Sequence, residues 1–453
     1  MPVKLASTKA HGLEALLLIL IFLTPLFYTA QTHELFEFPK MYLVYFAATA
    51  ATAMFLFRSA KSRKIEIART KLDLPIIIFL ISYFISTLFS VDWYTSIFGY
   101  YSRFNGGLLS VVGFVALTYI LATCLKENPN LIKGLVNSLI LSAFLVALFA
   151  VAQHFGYQKG QWVQDSSARV FSSLGQPNWL AAFLTMIFPL SLALLVIKPL
   201  NRWEAGVRMI TVIVIFSGFW FTYSLSGLIG MAAALSIFFL VGCRKLSRRS
   251  LILLFVAMSV CALIAVSQPG IFSARLNSLF KQLHAAAFAV YAAEARPVEY
   301  EGDTMKIRVI VWRGALELLR QNPKALAIGT GPETFAYAFL PYRPAQLNQT
   351  SEWDFLYNKA HNDYIDIWVD RGTAGLLAYL ILTGAFALSF TKSLSKNART
   401  RTIQASFFSG WVGLLVTNFF GWSVVPTSLL FWLFPVLTTA CGNLIESKNE
   451  NQP

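Results

Sequence analysis

Long apolar segments dominate this sequence, and they restrict its fold more than any other feature. Of its 453 residues, 56% are hydrophobic and only 13% are charged, and the mean hydropathy is +0.60. Many of the apolar segments reach the ~20 residues that an α-helix needs to cross the hydrocarbon core of a bilayer. A helix also satisfies its own backbone hydrogen bonds there. The sequence therefore predicts an all-α, multi-pass membrane protein.

About twelve membrane spans are expected within a single polytopic domain, residues 1–453. They lie near 13–31, 39–57, 72–90, 107–125, 131–154, 178–197, 208–224, 226–243, 250–268, 372–390, 403–420 and 424–443. The seventh and eighth are so close that they predict a tight hairpin. The first is expected to remain as an anchor, because Tyr28-Thr29-Ala30 lacks the small residue that a signal-peptide cleavage site has three positions back.

The distribution of Lys and Arg predicts the orientation, because basic connections stay on the cytoplasmic side. Alternate connections carry nineteen Lys and Arg residues, whereas the opposite short connections carry only Lys40, Arg103, Lys159 and Arg169. Both termini are therefore expected to be cytoplasmic. The long polar segment 269–371, between the ninth and tenth spans, is expected to be extracytoplasmic and helical.

Several function classes are disfavoured, because the sequence lacks the residues they need or has them dispersed along the chain. The formal charge of +15 is spread over short connections rather than concentrated on one soluble face, which argues against nucleic-acid binding. No charged residue lies in the middle of a predicted span, which argues against ion-coupled transport. The segment GTGPETF at 329–335 is shorter than a phosphate-binding loop and is interpreted as a glycine turn. None of the four cysteines lies in the long polar segment, so we expect no disulfide and no cysteine-based metal site.

The long polar segment has a pattern of its own. Residues 271–295 are amphipathic and predict a helix lying on the membrane surface. A second helix is expected at 306–320, ended by Asn322-Pro323, with Arg308 and Trp312 on one face. An irregular loop then leads to His361 at the membrane boundary. Asn362 is a candidate N-cap for the next helix, whose first turns carry Asp363, Asp366 and Asp370.

Three stretches in order resemble the O-antigen ligase and O-antigen polymerase (Wzy-type) family. They are RVFSSLGQPNWLAAFLTMIFPLSL at 169–192, RVIVWRGALELLRQNPKALAIGTGPETF at 308–335, and His361-Asn362 followed by Gly372 and Gly375. The resemblance covers roughly residues 95–440. It implies a GT-C-like glycosyltransferase of the cytoplasmic (inner) membrane. Such an enzyme takes a glycan from undecaprenyl diphosphate on the outer side of that membrane, without a metal or another cofactor.

Such a reaction needs a base for the incoming hydroxyl and cations for the departing diphosphate. By the resemblance His361 is the base, because an imidazole with an ordinary pKa of about 6.5 is largely neutral at neutral pH. The alternative is that His361 only caps the following helix. Asp363 and Asp366 either orient the imidazole or are solvated acids at the helix start, and the sequence favours the solvated interpretation.

The resemblance implies diphosphate binding by Arg308, since a guanidinium donates two hydrogen bonds to a phosphate and stays charged. Arg313 has weaker support. Arg169 and Arg103 lie on the expected outer side and are further candidates, with ordinary loop arginines as the alternative. Asn178, in the Pro-Asn match, either binds a sugar or caps its helix. Asn362 and Asp363 also belong to the predicted substrate-binding set.

One position departs from the family pattern. Many members carry an arginine at the tip of the hairpin between the seventh and eighth spans, where this chain has Leu225. We expect Ser224, Ser226 and the backbone amides around Gly227 to bind the phosphates instead, with Arg169 or Arg103 supplying the charge.

The expected partners are an undecaprenyl-diphosphate-linked glycan, an acceptor and membrane lipids, with no nucleic acid. The acceptor is left open between a lipid, a polymer, a protein side chain and another repeat unit, so ligase and polymerase are not distinguished. The alternative function is a solute transporter of the bicarbonate type, or a component of polysaccharide export.

Overall fold

Helices are the regular elements of the computed structural model, which describes residues 11–197, 201–244, 246–267 and 304–449. In chain order they are α1 (His11–Leu23), α2 (Glu37–Ser62), α3 (Asp73–Leu88), α4 (Trp93–Phe98), α5 (Leu108–Glu127), α6 (Leu131–His154), α7 (Pro177–Ile197), α8 (Arg202–Trp220), α9 (Leu225–Ile237), α10 (Arg248–Val266), α11 (Thr304–Gln321), α12 (Pro323–Ile328), α13 (Phe335–Phe339), α14 (Asp363–Ser393), α15 (Ala398–Thr417) and α16 (Val425–Asn449). A π-helical turn, Phe238–Gly242, extends α9.

The helices confirm a multi-pass membrane protein. Ten of them in the described ranges are long and apolar enough to cross a bilayer, and they correspond to ten of the twelve predicted spans. The other two predicted spans are present as shorter apolar helices, Gly12–Leu23 and Asp73–Leu88, so the count of twelve stays a prediction. The predicted surface helix at 271–295 lies outside the described residues.

Helix α7 forms the centre of the bundle because it is apolar on every side, which is the pattern of a fully surrounded helix. It packs against α15, where Gly410 and Gly413 leave room for close approach. A Cβ at Gly410 would lie 2.1 Å from the carbonyl oxygen of Met186 in α7. Small residues at helix contacts are the usual means of close packing in a bilayer.

Segment 304–362 forms a smaller apolar cluster beside the bundle. Ile307, Val311 and Leu318 of α11 are buried with Phe335, Phe339 and Tyr357. Helix α11 ends where it was predicted to end, because Asn322 becomes the N-cap of α12 and Pro323 occupies its first turn. The cluster fixes the position of α11 and therefore of Arg308.

The glycine turn at 329–335 is confirmed, and it fastens this segment to α14. Gly331 and Thr330 donate their backbone N–H groups to the carbonyl oxygens of Asp370 and Val369, at 2.9 and 3.0 Å. Gly329 has φ +84°, and a Cβ there would lie 2.2 Å from the Asp370 carbonyl oxygen, so the contact requires glycine. Gly372, with φ +66°, divides α14 at the same place. The tenth predicted span therefore begins after a short helical part of α14, residues 363–371, that carries the polar residues.

Candidate active site

His361 lies at the end of the loop that precedes α14. Its backbone is in the left-handed region, with φ +56°, an uncommon conformation for a residue other than glycine. Its imidazole packs edge-on against Trp422, with ring centroids 4.9 Å apart. The capping alternative for His361 is not supported, because Asn362 performs this role as predicted: its Oδ1 accepts hydrogen bonds from the N–H groups of Tyr364 and Ile365. The His361 side chain is therefore available to the cavity beside it.

Two hydrogen bonds hold the backbone just before His361. The indole Nε1–H of Trp312 donates to the carbonyl oxygen of Ala360 at 2.8 Å. The Ala360 N–H donates to Oδ1 of Asp366 at 2.7 Å. Because one peptide unit on each side of Ala360 is anchored to a different helix, the left-handed turn at His361 is fixed from both α11 and α14. Trp312 thus does more than anchor α11 at a membrane interface.

We expect Trp312→Phe to loosen this loop while keeping an aromatic ring in place. The substitution leaves the Ala360 carbonyl without its donor, and a lost hydrogen bond of this kind costs about 1 kcal/mol of unfolding free energy. Hydrogen exchange should become faster for the backbone amides of residues 359–362. The matched control is Trp353→Phe, whose side chain is exposed. If both variants show wild-type exchange in the loop, the Trp312 bond does not position His361.

One small cavity, of about 20 Å³, brings together four residues that the sequence predicted for the site. Its lining includes His361, Arg308, Asn178 and Ser226, which come from the loop before α14, from α11, from α7 and from α9. The remaining walls are Gln176, Trp179, Ala182, Thr417, Asn418, Phe420, Gly421 and Trp422. Residues separated by almost 200 positions in the chain therefore meet at one point.

The electrostatics of this cavity favour a neutral histidine beside a charged arginine. Burial, reinforced by the positive charges of Arg308 and Arg103, lowers the pKa of His361 to about 4. Burial also lowers the pKa of Arg308, while Glu352 opposes the shift. Arginine nevertheless stays protonated in proteins. Within the described residues Arg308 forms no ion pair with a carboxylate. The cavity therefore combines a proton acceptor with a cation that forms no ion pair among the described residues.

Arg169 is held at the tip of the α8–α9 hairpin, the place where Leu225 replaces the family arginine. Its Nε donates to the carbonyl oxygen of Thr222 at 3.0 Å, and its Nη2 donates to Oδ1 of Asn178 at 3.3 Å. Asn178 therefore serves as an acceptor for side chains at the cavity rather than as a helix cap. A guanidinium from another part of the chain thus reaches this hairpin.

Ser224 is the N-cap of α9, and this modifies the prediction for the hairpin. Its Oγ accepts the N–H of Gly227 at 3.1 Å and donates to Oδ1 of Asn178 at 2.8 Å. The Gly227 amide is therefore already hydrogen-bonded, contrary to the expected role of that amide in binding phosphate. Ser226 lines the cavity, with its Oγ 3.1 Å from that of Ser224.

Arg103 lies between the small cavity and a larger one. Its guanidinium carbon is 5.1 Å from the ring centroid of Trp422 and 5.5 Å from that of Trp179, within the range of cation–π attraction. Trp422 lines both cavities. The larger cavity has a volume of about 110 Å³, and its charged lining consists of Glu37, Arg103, Glu333, Lys359, Asp363, Asp366, Asp370 and Arg371.

The interpretation of the helix-start aspartates as solvated acids is wrong for Asp366, and Asp370 is buried as well, with side chains only 2% and 5% exposed. Asp366 binds the Ala360 amide, and Asp370 accepts the Glu333 N–H at 2.9 Å. Asp363 is partly buried and accepts a hydrogen bond from Nδ2 of Asn418 at 2.8 Å. These carboxylates face the larger cavity because the helix start is covered by the segment before it. Of the three, Asp366 holds the His361 loop, through the backbone N–H of Ala360.

Lys359 supplies the main positive charge to this buried cluster. Its Nζ lies 2.5 Å from Oε1 of Glu333, and both side chains are nearly inaccessible to solvent. Burial alone would lower the pKa of Lys359, but Glu333, Asp366 and Asp370 together raise it above its ordinary value. The lysine therefore stays charged and offsets part of the cost of burying the carboxylates.

Arg313 is not brought to this site. It lines a separate cavity with Ile310, Gly314 and Glu317, on another face of α11. Conversely, four residues lie at the site that were not predicted to do so: Trp422, Asn418, Glu333 and Lys359. Asn418 and Trp422 belong to TNFFGW, a polar and aromatic run at the end of a predicted span, and that run was the available signal. Among the described residues, no three His, Cys, Asp or Glu side chains are placed to share a metal ion.

Residues 210–380 match the family model described as O-antigen ligase. The predicted resemblance to the O-antigen ligase family is thereby confirmed for this part of the chain. The matched residues run from α8 to α14 and contain Ser226, Arg308, Arg313, His361, Asn362 and Asp363, whereas Arg103, Arg169 and Asn178 precede them. No match to a curated protein accompanies this finding. The O-antigen ligase match indicates an enzyme of that general class in a multi-pass membrane protein.

Proposed function

We propose that this protein transfers a glycan from undecaprenyl diphosphate to an acceptor hydroxyl on the outer face of the cytoplasmic membrane. The observation that carries the proposal is that His361 and Arg308, both within the O-antigen ligase match, line one cavity as a neutral base and a cation. A hydroxyl nucleophile and a diphosphate leaving group require these two kinds of side chain.

In the proposed reaction the acceptor hydroxyl gives its proton to His361 as its oxygen attacks the anomeric carbon of the donor. The bond from that carbon to the diphosphate oxygen breaks, and its electron pair leaves on undecaprenyl diphosphate. Arg308 stabilises the charge that develops on the departing phosphate. The proton acquired by the imidazole returns to solvent after the product leaves. The activated donor supplies the driving force, so no nucleotide is needed outside the membrane.

Arg169 and Arg103 are proposed to supply the charge that the family arginine would provide at the position of Leu225. Arg169 supports this role because it reaches the hairpin tip and Asn178, which lines the His361 cavity. Arg103 supports it because it lies over Trp422, at the wall shared by both cavities. A cavity of 20 Å³ holds about one water molecule. Donor binding is therefore expected to move the side chains that line it.

The proposed orientation places the His361 end of the bundle outside and both termini in the cytoplasm. The basic residues of the sequence support it, because Arg58, Arg69 and Lys126 lie at the opposite ends of α2, α3 and α5 from the candidate site. The acceptor is a lipid, a polymer, a protein side chain or another repeat unit.

The direct test is transfer by the purified full-length protein in proteoliposomes. A labelled undecaprenyl diphosphate glycan is supplied with a lipid A core, a protein acceptor or a second repeat unit. We expect the label to appear on one acceptor, with stoichiometric release of undecaprenyl diphosphate. Absence of transfer to all acceptors, from protein that unfolds cooperatively on heating, would contradict the proposal.

The pH dependence of kcat/KM should report the low pKa of His361. A general base must be unprotonated, and His361 becomes protonated only as the pH falls through about 4. We therefore expect kcat/KM to stay level between about pH 5 and 8 and to fall below about pH 5, rather than near the ordinary imidazole pKa of about 6.5. Samples held at low pH and assayed again at pH 7 control for unfolding. A reversible loss of kcat/KM centred near pH 6.5 would contradict this prediction. It would mean that another group is the base, or that water enters the cavity and leaves His361 with an ordinary pKa.

A further inference from the structure

A separate apolar cavity lies at the opposite end of the bundle from His361. It has a volume of about 520 Å³ and is bounded by α3, α5, α14, α15 and α16. Its position follows from the direction of α3, which begins at Asp73 beside this cavity and ends near Val91, where the Val91 N–H binds the Thr330 carbonyl at the site end. The proposed transfer reaction makes no use of it.

The interior of the cavity is long enough and apolar enough to hold an acyl chain. Apolar side chains form most of the wall, including Leu382, Phe386, Trp411, Phe431 and Val436. The wall follows α16 from Phe431 to Ala440, a distance of about 14 Å at about 1.5 Å per residue. The cavity therefore runs from the end of the bundle toward the middle of the membrane, in the direction that a lipid chain takes.

The mouth of the cavity is basic. Every charged residue in its lining is a cation: Arg69 and Lys71 precede α3, and Lys126 lies in the last turn of α5. We call these three residues the basic rim. The Arg69 side chain is 89% exposed even though it lies 3.4 Å from a carboxylate oxygen of Asp73. The rim therefore presents hydrogen-bond donors and positive charge to a ligand at the membrane boundary.

Arg69 also borders a second apolar cavity, of about 680 Å³, on the other side of the contact between α3 and α5. Phe55 and Leu56 of α2, Ile77 of α3 and Ile120 of α5 line it. One arginine thus stands between two apolar spaces that enter the membrane from the same end. This arrangement matches a headgroup phosphate with two acyl chains better than it matches a single-chain lipid.

We propose that the basic rim binds one anionic diacyl phospholipid, with its phosphate at Arg69, Lys71 and Lys126 and an acyl chain in each apolar cavity. Charge complementarity at the rim selects the anionic headgroup, and the two cavities select the chains. The proposal does not depend on glycan transfer, because no residue of the rim or of the cavities was placed in the reaction.

The test measures binding of phosphatidylglycerol to the full-length purified protein by native mass spectrometry. Replacing the rim with Arg69→Gln, Lys71→Gln and Lys126→Gln should weaken binding by about tenfold or more, since each cation near an anionic lipid contributes to its attraction. The matched control is Lys61→Gln, Arg63→Gln and Lys64→Gln, which removes the same charge from exposed positions that line neither cavity. The control should bind within about twofold of the wild type, because its cations do not face the phosphate.

A second variant tests the apolar part without changing any charge. Ala122→Phe places a ring inside the cavity of about 520 Å³ and should also weaken phosphatidylglycerol binding, even if the rim variant proves unstable. Equal loss in the rim and control triples would overturn the proposal, as would equally tight binding of phosphatidylcholine. Glycerol phosphate binding as tightly as the lipid would assign the rim to a free phosphate. Tighter binding of undecaprenyl phosphate would assign the cavity to the glycan carrier.

Discussion

Replacing His361 with alanine should lower kcat/KM for glycan transfer by about 100-fold or more, because general-base catalysis by a positioned side chain contributes about 10²–10⁴. The loss should appear in kcat, since the imidazole accepts a proton only as the acceptor oxygen attacks. Binding of undecaprenyl diphosphate, measured separately, should change little. The measurement is initial-rate transfer in proteoliposomes with the wild type and the variant compared at pH 7.

His33→Ala is the control for this prediction, because His33 is an exposed histidine in the loop between α1 and α2. We expect it to retain activity within about twofold, in the range of surface substitutions that have no contact with a site. His361→Gln gives a second comparison, since glutamine keeps a polar side chain in the cavity but is not a base. Wild-type kcat in a folded His361→Ala protein would remove His361 from the mechanism.

The features that depend on residues close together in the sequence were the most predictable. The Asn362 cap, the end of α11 at Asn322-Pro323 and the turn at Gly329 depend on interactions within a few residues, and these were confirmed. Most spans were predictable for a related reason, since each one reflects a continuous run of apolar side chains. In these cases a local pattern was sufficient because the physical cause was local.

The composition of the site required contacts that no local pattern contains. Trp422 meets His361 because α15 and α16 pack beside α14, and the Lys359–Glu333 pair forms across a loop. Asp363 and Asp366 were interpreted as solvated because acids in a first turn usually are, but the covering segment buries Asp366, and it buries Asp370 as well. Burial of a charge depends on what packs over it, and this information is not local.

The different placement of Arg308 and Arg313 was, by contrast, within reach of the sequence. Five residues along an α-helix correspond to a rotation of about 140°, so the two side chains of α11 must leave it on different faces. Trp312 is four residues from Arg308 and lies on nearly the same face. Since Trp312 binds Ala360, that face is the one turned toward His361. The same helix therefore provides both a test residue and its control.

Arg308→Ala should lower kcat/KM for transfer by about 100-fold, a typical effect of removing one donor from developing transition-state charge. Arg308→Lys should lose about tenfold, because lysine keeps the charge but not the two-pronged hydrogen bonding of a guanidinium. Arg313→Ala, which removes the same charge from another face of α11, should remain within about twofold. Equal losses at the two positions would show that the charge of α11 matters and the cavity does not.

The residual activity of Arg308→Ala provides an independent test of the same geometry. The positive charge of Arg308 is one cause of the low pKa of His361, after burial. Removing it should raise that pKa, so the loss of kcat/KM on acidification should begin at a higher pH than in the wild type. The pH profile of Arg313→Ala should be unchanged. A wild-type pH profile in Arg308→Ala would mean that the arginine and the base do not share a cavity during the reaction. A profile shifted to higher pH links the cation to the proton acceptor through their electrostatic coupling.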